Sequence, residues 1–173
     1  MRENSAEKSP KTKQRIIHPF EPFYDENSTV LIVGSFPSVA SRADGFYYGN
    51  PHNRFWKVLA TVFSERAPLQ ISEKKDFLLC HKIAIYDAIK ECKITGSSDS
   101  SIRDVVPADI KSIVEKSKVR KIFANGKTAE KFFMKYQCPE LCLLLKELPS
   151  TSPANASFSL ERLVEEWKVI ADD

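Results

Sequence analysis

The segment from Gly34 to Trp56, GSFPSVASRADGFYYGNPHNRFW, carries the densest set of groups able to bind or react. Phe36 and the consecutive Phe46, Tyr47 and Tyr48 offer faces that can stack a flat ring, or that can simply seal the loop onto a core. The Asn53 carboxamide can orient a reactant but is no useful base near pH 7; standing just before RFWKVLATVF, it is equally placed to cap a helix. Two further polar side chains end apolar runs: Asp87 after KIAIY and Asn125 after KIFA. An ionised Asp only accepts hydrogen bonds, whereas the Asn amide also donates. Each also has a local alternative, a turn cap for Asp87 and a left-handed turn in Asn125-Gly126. Phosphate-cradling chemistry is not indicated, since GSFPS has one glycine and no lysine. Cys138 and Cys142 resemble half of a metal site, but only distant thiols or His18, His52 and His81 could complete it, so no metal is expected.

These side chains need a scaffold. TVLIVG, KIAIYD, VRKIFANG and LCLLLKEL read as short buried strands, and NRFWKVLATVFSE, SEKKDFLLCHK, PADIKSIVEKSK (with Pro107 opening it), KTAEKFFMKY and FSLERLVEEWKVIADD as helices. Residues 93 to 106 read as a loop. Alternation of strand and helix implies an α/β fold: one domain of three α/β/α layers around a mostly parallel four-stranded sheet. In such sheets ligands bind beyond the carboxyl ends of the strands, which singles out residues 34 to 56, 87 to 103 and 148 to 156. The first of these is longer than the ~12–15 residues beyond which a loop is usually functional or disordered.

A chain of 173 residues fits one domain, and 42% hydrophobic with 28% charged residues excludes global disorder. Residues 1–18 are basic and lack apolar periodicity, so they are expected to be a flexible tail before a domain spanning 19–173. No apolar run approaches the ~20 residues of a membrane span. The four cysteines suggest reduced thiols, hence a cytoplasmic protein, or a nuclear one in a eukaryote. Net charge of +3 permits a polyanionic partner without requiring one. A monomer is the default expectation.

Gly34 to Ser38 followed by GFYYGNPHNRFWKV resembles the first motif of the uracil-DNA glycosylase superfamily, especially its mismatch-specific branch. LPSTSPANA is similar to the second motif, in the version of the hypoxanthine-DNA glycosylase branch. With IYDAI and FANGK the resemblance spans about residues 29 to 170. It implies a monofunctional DNA glycosylase that flips a deaminated base, chiefly hypoxanthine, out of DNA and hydrolyses its N-glycosidic bond without metal or other cofactor, opening base-excision repair. The alternatives are a uracil or mismatch-specific glycosylase, or a DNA-binding relative that does not cleave.

Two departures shape the expected chemistry. Phe36 stands where many relatives carry a water-activating Asn or Asp, and Leu148 where they carry His or Asn. The hypoxanthine branch shares both gaps, and the resemblance passes the catalytic role to Asn53, which is expected to orient water through its carbonyl oxygen while the bond to the sugar stretches. Base binding is expected from Tyr48 and Phe36 as stacking walls, with Asp87 accepting from a ring N–H and Asn125 donating to the neighbouring carbonyl. Ser150, Ser152 and Asn155 are expected on the DNA backbone, or else as turn formers around Pro149 and Pro153.

Overall fold

The computed structural model describes residues 13–172. Its strands are β1 (Gln14–Ile17), β2 (Val30–Gly34), β3 (Ile83–Asp87), β4 (Ile89–Ile94), β5 (Arg103–Pro107), β6 (Lys121–Asn125) and β7 (Leu145–Leu148). Its α-helices are α1 (Val39–Asp44), α2 (Phe55–Val62), α3 (Ile71–Cys80), α4 (Ile110–Glu115), α5 (Lys127–Tyr136), α6 (Pro139–Cys142) and α7 (Leu160–Trp167).

The apolar runs form the expected central sheet, ordered β3-β2-β6-β7 with every neighbour parallel. Strands β2 and β3 are buried along their whole length, the pattern of strands covered on both faces. Phe55, Leu59, Phe133, Leu163 and Trp167 from α2, α5 and α7 fill the main core beside Leu31, Ile32 and Ile85. This is the α/β architecture expected from the sequence. Among the described residues no helix is long and apolar enough to cross a membrane, and no group of three or more His, Cys, Asp or Glu side chains is placed to hold a metal.

A second sheet is the main correction. Strands β1, β4 and β5 pair antiparallel in the order β1-β4-β5. Residues 103–106, expected as loop, form its edge strand together with Pro107, which ends that strand instead of opening a helix; Asp109 caps α4, its side chain accepting from the Ser112 N–H at 3.0 Å. Pro107 is tolerated there because an edge strand leaves one side of its backbone unpaired.

Residues 14–18 do not belong to the expected tail. Residues 1–12 lie outside the described residues, whereas Gln14–Ile17 is β1 and His18 is only 8% exposed. Main-chain pairing needs no apolar pattern, and Ile17 faces solvent, so nothing in the sequence marked this strand. The ordered domain therefore begins before residue 19.

Candidate active site

The site opens where the central strands end. Gly34 and Asp87 are register partners at the carboxyl ends of β2 and β3, and Asn125 and Leu148 at those of β6 and β7. Asp87 is 5% exposed, and its Oδ2 lies 2.8 Å from His18 Nε2. That contact brings a residue of the supposed tail beneath the site. A Cβ on Gly34 would lie 2.2 Å from Asp87 Oδ1 and 3.2 Å from the Tyr48 hydroxyl, so only glycine leaves this floor open.

Above the floor is a cavity of about 180 Å³ lined by Gly34, Phe36, Tyr48, Asn53, Asp87 and Asn125, among others. It falls below the ~300–1,000 Å³ of sites that engulf drug-sized ligands, and suits one flat ring system better than a whole nucleotide. The aromatic run divides its labour. Phe46 and Tyr47 are buried, and Tyr47 donates its hydroxyl to the Glu21 carbonyl at 2.9 Å while its own carbonyl accepts from Trp56 Nε1 at 3.3 Å. These two fix the loop to the core. Tyr48 adopts a left-handed backbone (φ 53°), rare for an aromatic residue, and stacks on Phe55 with ring centroids 3.8 Å apart. One face of Tyr48 is thereby covered. Its hydroxyl is buried without a partner among the described residues, and burial, then the charge of Asp87, pushes the phenol far above its ordinary pKa. Phe36, 8% exposed, joins Ile89, Cys92, Ile94 and Ile102 in a second cluster that backs the cavity onto the antiparallel sheet.

Asn53 is where expectation and geometry differ in detail. Its Oδ1 accepts from the Phe55 N–H at 3.0 Å, as a cap, and from the Thr151 hydroxyl at 2.8 Å. Both lone pairs of that oxygen are therefore in use. The expectation that the Asn53 carbonyl orients water is corrected on this ground: the atom it would use is already saturated, and the Nδ2 donors are what Asn53 has left to offer. Asn125 is similarly committed. Its Nδ2 donates to the Thr151 hydroxyl at 2.9 Å and its Oδ1 accepts from the Thr151 N–H at 2.9 Å, which leaves one amide N–H free. Thr151 is 0% exposed and ties the two Asn residues into one network.

Arg54 holds the same loop by its carbonyls. Its guanidinium donates to Thr151 O (3.3 Å), Ser152 O (2.8 Å), Asn155 O (3.0 Å) and Phe158 O. Ser150 and Ser152 line the cavity and also make turns: Ser150 Oγ accepts from the Ser152 N–H at 3.2 Å and Ser152 Oγ from the Ala154 N–H at 3.2 Å. Asn155 does not line it. Its Nδ2 donates to Ser150 O at 2.9 Å and its Oδ1 accepts from the Ser157 hydroxyl, so its amide serves the loop itself. Gly126 makes the close approach possible, with φ 92° and a position where a Cβ would meet Ser150 Cβ at 2.7 Å.

Four residues of the site escaped sequence reasoning: His18, Thr151, Arg54 and Asp99. Arg54 had a signal, its place in the NRFW motif. Thr151 sits in a recognised loop but shows its role only through partners far along the chain. Asp99 lines the cavity from the segment between β4 and β5 and accepts the Ser35 hydroxyl on both carboxylate oxygens, each at 3.1 Å. Burial raises its pKa and the charge of Asp87 adds to this, against the opposing Ser35 hydrogen bond.

Comparison with known proteins supplies independent findings. The model of the uracil DNA glycosylase superfamily matches residues 21–172. A hypoxanthine DNA glycosylase of Methanosarcina acetivorans is 35% identical over 158 residues, covering 87% of this chain and 95% of the relative. A hypoxanthine DNA glycosylase of Methanosarcina barkeri is 35% identical over 86 residues, 49% of this chain and 54% of that protein. A solution NMR structure of a candidate uracil DNA glycosylase from Methanosarcina acetivorans superposes with a TM-score of 0.74 at 30% identity, covering 91% of this chain and all of the other.

Proposed function

Because the chain belongs to the uracil DNA glycosylase superfamily, its chemistry is hydrolysis of an N-glycosyl bond in DNA, and we propose that the base it releases is hypoxanthine. The observation that carries this is the floor of the cavity, a buried carboxylate, Asp87, held by His18 in a space fit for a single ring system. Hypoxanthine presents a ring N–H beside a carbonyl. Asp87 accepts the first, and the free Asn125 N–H donates to the second. Adenine presents a bare ring nitrogen in place of that N–H, which a carboxylate repels. The relatives named hypoxanthine DNA glycosylase support the same choice.

Catalysis rests on the leaving group. As the bond between C1′ and the base stretches, the sugar gains oxocarbenium character and the base negative charge. Asn53, rigidly held by Thr151 and the Phe55 N–H, turns its Nδ2 donors to that charge, the preorganised stabilisation that dominates many such sites. Tyr48 and Phe36 wall the base, and Ser150 and Ser152 meet the backbone on either side of the flipped nucleotide. Asn155 acts by holding Ser150. The protein works as a monomer on DNA, without a metal, in the cytoplasm or a nucleus.

Single-turnover cleavage of duplexes carrying one hypoxanthine, uracil or xanthine, with alkali to reveal abasic sites, tests this reading. Hypoxanthine is expected to be released fastest. Faster release of uracil would make this a uracil glycosylase, and duplex binding with no release would make it a binder.

A further inference from the structure

Hydrolysis releases a proton from the attacking water, a protein base speeds that step, and the Phe36 side chain has no atom able to act as one. The other candidates lining the cavity are accounted for. Asn53 Oδ1 is saturated by two donors, and Asn125 is committed to Thr151. Tyr47 and Tyr48 are both pushed above their ordinary pKa by burial and hold their protons. Asp87 lies on the floor, paired with His18, at the depth a base must reach. One carboxylate remains.

We propose that Asp99 is the catalytic base of this enzyme, standing on Ser35, the neighbour of Phe36, and taking the proton of the water that attacks C1′. The inference rests on the glycosylase chemistry above but not on which base is released. A flipped nucleotide enters base first, so its C1′ lies shallower than the ring. Asp99 is correspondingly shallower than Asp87, part-buried where Asp87 is buried, and within reach of solvent water. Its loop is fixed to the first motif at two other points. The Val39 N–H donates to Ser97 Oγ at 2.8 Å, and Arg42 bridges the Gly96 carbonyl at 3.1 Å and the Pro37 carbonyl at 2.8 Å. The antiparallel sheet thus serves the site, because its β4 and β5 bracket the segment that carries Asp99.

In the step itself, the water oxygen bonds to C1′ while the C1′–N bond breaks with its electron pair on the base. The water proton passes to Asp99 and then to solvent, and the departing base takes up a proton from solvent. Burial raises the proton affinity of Asp99, which makes its carboxylate a stronger base than an exposed one. The charged or titratable groups around it are Asp87 with His18, Tyr48, Cys92 and Arg42.

The test compares wild type, Asp99→Asn and Ser35→Ala in single-turnover release across pH, on whichever deaminated base the wild type releases. Asn keeps an acceptor for Ser35, so the loop geometry survives. Asp99→Asn is expected to lose ~10²–10⁴-fold in rate and the rise of rate with pH that titration of Asp99 produces, while duplex affinity is kept. Ser35→Ala removes the hydrogen bond that stabilises the ionised form, so the rise should move to higher pH. Asp99→Asn within about threefold of wild type at every pH, or with the wild-type pH profile at reduced rate, overturns the proposal. A wild type that releases uracil but not hypoxanthine overturns only the substrate choice, and one that releases no base overturns both.

Discussion

The Thr151 hydroxyl donates to Asn53 Oδ1 at 2.8 Å across 98 residues of chain, a side-chain bond from the second motif to the first. Thr151 also receives Asn125 Nδ2 and donates its N–H to Asn125 Oδ1, so the ends of two loops and one strand share a single polar centre. Buried networks of this kind are rigid when every member is satisfied and costly when one is lost.

Thr151→Val, nearly isosteric, should therefore destabilise the protein by ~1–3 kcal/mol, since it strands the Asn125 donor and takes one of two donors from Asn53 Oδ1. Release of the base should also slow, because Asn53 loses a constraint on its amide. Urea unfolding and single-turnover rates on one preparation read both effects.

Asn53→Ala should lower the single-turnover rate by ~10²–10³-fold, the usual loss for one preorganised donor. Gel-shift affinity for a duplex with an abasic site should change little. Retention of rate would return Asn53 to a helix cap alone.

Gly34→Ala should abolish base release by a purely steric route, because the added methyl would sit 2.2 Å from Asp87 Oδ1. The expected signature is loss of discrimination among damaged and undamaged duplexes in binding, along with loss of cleavage.

His18→Ala should cost ~1–3 kcal/mol, since it removes the buried hydrogen-bond partner of Asp87 Oδ2. Adding Asp87→Asn to that variant should restore part of the stability. The double-mutant cycle, by denaturant unfolding, gives the coupling directly.

Asp99→Asn should make the protein more stable near neutral pH even as it disables it. A carboxyl whose folded pKa is raised binds protons more tightly in the native state, so its contribution to stability declines as pH climbs from the unfolded value through the raised one. The variant lacks that decline. Its advantage in thermal unfolding should therefore shrink as pH falls toward the ordinary aspartate range.

The central sheet was legible because buried parallel strands write themselves as continuous apolar runs such as Thr29–Gly34 and Ile83–Asp87. The antiparallel sheet was not, because register shifts between Ile89 and Glu91 and between Glu91 and Lys93 break the alternation a strand would show. Phe36, Tyr48, Asn53, Asp87 and Asn125 all line the cavity. What sequence could not supply was the use of each polar atom. That Asn53 Oδ1 is saturated depends on Thr151, and that His18 lies under Asp87 depends on a strand with no pattern of its own.

The grip of Arg54 on four carbonyls of residues 151–158 bears on any attempt to exchange specificity between relatives. Its partners are main-chain oxygens, so the sequence of the loop can drift while its shape stays set from outside. Residues 53–54 and 150–158 accordingly form one transplantable cassette. A graft of the loop alone would arrive without the mould that shapes it.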